Sequence, residues 1–157
     1  MRLNTLLFAA SASLMLAAAP AAAQQNIDGW DLNDDGESCA LSYSNEAGTA
    51  LTMLNDGKYD AMGFVIDGLG GVEKGAPITL QMQIGTSEWV DLNAVGISLS
   101  TGAAGYMLGN FPVDVFAERP MRGTLRIRRG TEVIHSFPLD NINRGAKAMV
   151  ECGKKYG

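Results

Sequence analysis

Residues 78–84 read Ile78-Thr79-Leu80-Gln81-Met82-Gln83-Ile84, four apolar side chains at a strict period of two with Thr and Gln between them. A helix would scatter those four around its circumference, whereas a pleated strand puts them all on one face. The same alternation spreads outward from this stretch. Trp89–Leu92 and Val95–Leu99 continue it, broken by Gly96, and after the Gly/Ala-rich residues 101–105 a weak strand covers Tyr106–Leu108. Leu125 and Ile127 alternate with Arg126 and Arg128; Val133, His135, Phe137 and Leu139 follow after a tight turn. Upstream, Cys39, Leu41 and Tyr43 mark one strand, Leu51 and Met53 a second, and Met62, Phe64 and Ile66 a third. Asp35-Gly36, Asp56-Gly57, Asp67-Gly68 and Arg129-Gly130 sit between these runs, where hairpins need residues tolerant of positive φ. Residues 24–37 are polar and read as irregular, with Trp30 as their one anchor.

Two helices complete the pattern. Pro112 suits the first turn of a short helix over Phe111–Ala117. Asp140 or Asn141 can cap a last helix in which Ile142, Ala146, Met149 and Val150 share a face, with Gly153 to stop it. The reading is a mainly β fold: a single-domain antiparallel β-sandwich or partly closed barrel of about eight strands with a C-terminal helix. Nineteen Gly among 157 residues, with few Glu and Lys, argue against a helical bundle.

The first 23 residues carry the three parts of an export signal. Arg2 gives a positive start, Leu6–Ala19 is an apolar run, and Ala21-Ala22-Ala23 ends it with small residues. Fourteen residues are too few for a hydrocarbon core that needs about 20, so cleavage after Ala23 is expected in place of anchoring. The mature unit is then one β-rich domain over 24–157, in the periplasm or secreted, with no membrane span. In that compartment Cys39 and Cys152, the two cysteines of the chain, are most simply one disulfide. Free thiols or a redox pair are the alternatives, and the Cys-x-x-Cys spacing that redox chemistry favours is absent.

Asp31-Leu32-Asn33-Asp34-Asp35-Gly36 matches the first half of a calcium loop. Position 12 of that loop needs an acid and is Ser42, so an acidic turn is the better reading and no metal or other cofactor is expected. His135 shares its parity with Val133, Phe137 and Leu139, which makes it a hydrogen-bonded residue at the edge of the core before it is a catalytic base. Gly96-Ile97-Ser98-Leu99-Ser100 lacks the last Gly of a nucleophile elbow. Gly68-Leu69-Gly70-Gly71 lacks the Lys-Ser/Thr of a phosphate loop. No catalytic residue is assigned.

Charge is segregated along the chain. Residues 24–118 hold Lys58 and Lys74 against fourteen acids, whereas residues 119–157 hold nine basic residues against Glu132, Asp140 and Glu151. The formal net charge of −5 argues against a general nucleic-acid binder. Arg126 and Arg128 leave one strand in the same direction, with Arg122 and Arg129 at its ends and Arg119 nearby. These residues are a candidate patch for an acidic protein or an anionic envelope component. The plainer reading is that they pair across strands with the acidic part of the same chain.

Together, Trp30, Cys39-Ala40-Leu41 opening a strand, and Glu132-Val-Ile-His-Ser-Phe137-Pro-Leu139 running into Ala146–Cys152 resemble the invasion-associated locus B family of exported alphaproteobacterial proteins. The specific part of the likeness is C-terminal. The chain departs from the family in its cysteine arrangement and in Asp140-Asn141, where Gly would be typical. The resemblance implies a small periplasmic β-sandwich-like protein linked, in some bacteria, to host-cell invasion, and it transfers no catalytic residue. The function expected is therefore a non-enzymatic periplasmic binding or interaction protein. The alternatives are a small periplasmic hydrolase using carboxylates or His135, and a secreted enzyme inhibitor.

Overall fold

Alternation along the chain becomes a single antiparallel ladder. The computed structural model describes residues 23–58, 60–66, 73–98, 104–109, 114–118 and 120–157. The strands are β1 (Ala23–Ile27), β2 (Trp30–Asp34), β3 (Cys39–Ser44), β4 (Ala50–Asn55), β5 (Asp60–Ile66), β6 (Pro77–Ile84), β7 (Val90–Ser98), β8 (Ala104–Gly109), β9 (Thr124–Arg129) and β10 (Glu132–Pro138). Helix α1 (Asp114–Glu118) precedes β9, and α2 (Ile142–Gly153) ends the fold. In space the strands run β1-β2-β3-β4-β5-β8-β7-β6-β9-β10. The fold is mainly β and antiparallel with a C-terminal helix, as the alternation predicts, with ten strands among the described residues in place of about eight.

One face of the ladder is the core. Leu41, Leu51, Met53, Leu80, Leu125 and Phe137 are fully buried and belong to one apolar cluster fed from both halves of the ladder. The sheet therefore curls around its own contents, leaving β1 and β10 as its edges. Helix α2 lays Ile142, Ala146 and Met149 onto β2, β3 and β4, and α1 packs against α2.

Four sequence readings need correction. Residues 24–37 are largely a hairpin: Ile27 pairs with Trp30 across Asp28-Gly29, with φ of 53 and 90. Two positive φ values in a two-residue loop are what an Asp-Gly pair supplies, so the signal was present in a fourth Asp-Gly dipeptide of the chain. Gly96 does not break β7, which runs through it. Val133 does not share a face with His135. Val133 pairs with Arg128 and His135 with Ile127, so Ile134 is the extra residue of a β-bulge and Val133 stands 46% exposed. At α2, Asn141 occupies the N-cap position with φ 64, but its side chain makes no cap hydrogen bond. The helix does end at Gly153, but without the positive φ of a glycine stop, and a Cβ there would come within 2.3 Å of Asn55 Oδ1. The export segment 1–22, the Asp67-Gly68 turn, the Gly68–Gly71 cluster, Ser100, residues 111–113 with Pro112, and Arg119 lie outside the described residues.

Cys39 and Cys152 are joined, with Cα atoms 6.0 Å apart across 113 residues of sequence. The bond ties α2 to β3, third in the ladder. Beside it, Asp34 accepts hydrogen bonds from Lys155 Nζ at 2.8 Å and from the Tyr156 hydroxyl. Those donors hold the Asp34 carboxyl at about 2.

Candidate functional site

Because β6 buries Leu80 and Met82, its intervening residues must face water. Register carries that outward face across four strands. Asp91 of β7 pairs with Gln81 of β6, Gln81 with Arg128 of β9, and Arg128 with Val133 of β10. In the next row Gln83 pairs with Arg126, and Arg126 with Ser136. Trp89 immediately precedes β7 on this side.

The two arginines are held by neutral groups. Arg128 donates through Nε to Gln81 Oε1 at 2.6 Å, and Gln81 Nε2 in turn donates to Asp91 Oδ1 at 2.6 Å. The Arg128 guanidinium lies over the Trp89 ring, 4.3 Å from its centroid, a cation–π arrangement. Arg126 Nη2 donates to the Gly85 carbonyl at 3.0 Å, while its Nε is buried with no acceptor among the described residues. A covered N–H without a partner is costly, so local stability alone does not explain an arginine here.

Internal neutralisation does occur, but elsewhere. Arg144 pairs with Asp28 at 2.7 Å, Lys155 with Asp34 at 2.8 Å, and Lys154 with Glu151. The acidic first half of the chain is met by the C-terminal helix and the turn after it. Among the described residues, neither Arg126 nor Arg128 has a carboxylate within ion-pair distance. Arg122 and Arg129 are both exposed at the two ends of β9. Arg129 has the parity of Leu125 and Ile127 and stands opposite Glu132, so it does not share the face of Arg126 and Arg128.

Sequence reading missed Gln81, Gln83, Trp89 and Asp91 as members of this face. The Thr/Gln alternation of β6 held the signal, but only the β6–β9 register shows that its amides stand beside the arginines.

The remaining candidates are otherwise employed. Asp31 and Asn33 lie on β2, with Asp31 Oδ1 accepting from Asn26 at 2.8 Å. Asp35 Oδ1 caps the following turn by accepting from the backbone of Glu37 and Ser38, and these bonds lower its pKa. His135 is buried beside Phe137, its Nε2 has no hydrogen-bond partner, and burial lowers its pKa. It is thus structural in position, without the hydrogen bond at Nε2 expected of an edge residue. Among the described residues, Asp34, Cys39 and Cys152 come within 4.8 Å of one another, but both sulfurs are bonded together and are not thiolate ligands. No described helix is long and apolar enough to cross a membrane.

No protein-family model, curated protein or solved structure matches the chain.

Proposed function

We propose that the chain is a non-enzymatic binding domain of the bacterial periplasm, whose contact surface is the outward face of β6 and β9 around Arg126 and Arg128. The observation that carries this reading is two fixed positive charges, oriented by Gln81, Trp89 and Gly85 and, among the described residues, without a carboxylate within ion-pair distance. Guanidinium groups keep their charge and donate in a planar fork, which suits carboxylate or phosphate oxygens on a partner. The partner is an anionic one, an acidic protein or an anionic envelope component. The disulfide supports an oxidising compartment, consistent with the export signal and with the resemblance to the invasion-associated locus B family.

Double charge reversal, Arg126→Glu with Arg128→Glu, tests this against immobilised poly-L-glutamate and phosphatidylglycerol vesicles. The native domain should be retained on at least one of them at low salt. It should elute as added salt screens exposed charges within about 8–10 Å. The double variant should keep its melting temperature within a few degrees and lose retention. Equal retention of a folded double variant would remove the arginine face from consideration.

A further inference from the structure

The ladder is split between β7 and β8. Residues 95–98 of β7 pair with β8, whereas residues 90–95 pair with β6. Residues 90–94 therefore have a strand on one side and, among the described residues, none on the other. Gly96 shows which way the free backbone groups point. Its N–H donates to the Ala76 carbonyl at 2.9 Å, and its carbonyl accepts from Gly75 at 2.8 Å, so both face β6. Backbone groups alternate sides along an antiparallel strand, so Asp91 and Asn93 turn their N–H and C=O groups into the split.

Side chains mark the same gap. Val90 pairs with Met82 and so shares the inner face of the sheet, yet it stands 56% exposed where Met82 is buried. Val95, on the outer face, is 43% exposed. These are two of the three large apolar side chains exposed among the described residues. A groove of about 500 Å³ opens at the split, lined by Asn93, Ala94 and Val95 of β7, Met107 of β8 and the first residues of β6.

We infer that the split takes an extended polypeptide segment of a partner, added antiparallel to β7 along residues 90–93 with a basic side chain opposite Asp91. Free N–H and C=O groups recurring at every second residue, about 7 Å apart, are matched by another strand backbone. Its inward side chains cover Val90 and the half-buried Leu92. Charge selects the occupant. Glu88 and Asp91 are both exposed at this end of β7, and the hydrogen-bond partner of Asp91 is the neutral amide of Gln81, which leaves its charge in place. A second copy of the chain would set the same carboxylates against these, and like charges on adjacent strands are destabilising. Against Val90, Asp91, Leu92 and Asn93 the incoming strand therefore reads apolar, basic, apolar, polar. This site is separate from the arginine pair and stands whether or not those residues bind an anion.

The probe is the acetylated and amidated peptide Thr-Val-Lys-Val-Thr, titrated calorimetrically into the native protein. It should bind at least tenfold more tightly than the same peptide with Glu for Lys, or with the Lys nitrogen methylated. Asp91→Lys should reverse the preference between the Lys and Glu peptides. Asn93→Pro removes an N–H that faces the split and not β6, so it should cost at least tenfold with a melting temperature within a few degrees of native. Should that variant fail to fold, Asp91→Lys and the methylated peptide carry the test. A methylated peptide as tight as its parent would overturn strand addition. An unchanged preference in folded Asp91→Lys would overturn Asp91 as the selecting group. A native dimer by sedimentation that Asn93→Pro dissociates would overturn the foreign partner in favour of a second copy. Failure of the Lys peptide to bind the folded protein would overturn the site.

Discussion

His135 is the sole histidine of the chain, so it is the one side chain whose ordinary pKa lies in the mildly acidic range. Burial lowers that pKa in the folded state, and Nε2 has no acceptor to offset the loss of water. The unfolded chain takes up a proton near pH 6.5 and the folded chain resists it. Stability should therefore fall as pH drops below about 6.5 and level off once pH is under the folded value. Melting temperatures between pH 7.5 and 5 should show that decline in the native protein, and His135→Gln should flatten it at some cost in stability. An unchanged slope in His135→Gln would assign the decline to other groups. That His135 faces inward was legible from Phe137 and Leu139. That Val133 does not follow it was not, because a bulge adds one residue without leaving a period of its own in the sequence.

At the scale of elements, the central strands could be read because burial of one face forces a period of two. Helix α2 could be read from its apolar stripe and from its ends at Asn141 and Gly153, but what fixes those ends could not, since it depends on contacts far along the chain. Gly153 looks like a stop signal and is also a point of close approach to Asn55 of β4. Elsewhere in a helix, Gly→Ala gains about 1 kcal/mol. Here the added methyl meets Asn55, whose Oδ1 already accepts from the Gly57 backbone at 2.8 Å. Gly153→Ala should therefore destabilise by about 1–3 kcal/mol, read by urea denaturation with an unchanged slope. A neutral or stabilising result would mean that α2 is free to shift away from β4. The β1–β2 hairpin shows the converse: Asn26-Ile27-Asp28-Gly29-Trp30 carries a turn signal, but a polar edge strand leaves little hydrophobic pattern around it. The partners of Arg126 and Arg128 belong to the same class of hidden fact, because strand order β6-β9 is a long-range pairing that no local spacing announces.

For the whole molecule, the Cys39–Cys152 bond closes a loop spanning 113 positions, and the chain-entropy account gives such a bond about 4–5 kcal/mol. Cys39→Ala should lower stability by about 2–5 kcal/mol, and thiol labelling of the unfolded, unreduced native chain should find no free cysteine. Two labelled thiols, or a variant as stable as the native protein, would remove the bond from the account. The pairing was legible because the chain holds two cysteines; the position of Cys39 on the third strand was not, because β1 and β2 were hidden. The same bond imposes an order of events on a chain synthesised N-terminus first. Strands β2 to β4 arrive early with Leu41, Met53 and Cys39 on their inner face, yet the helix that covers them is the last element to emerge. Until that helix arrives Cys39 lacks its partner, so the covalent bond and the covering of the inner face of β2 to β4 by α2 come together.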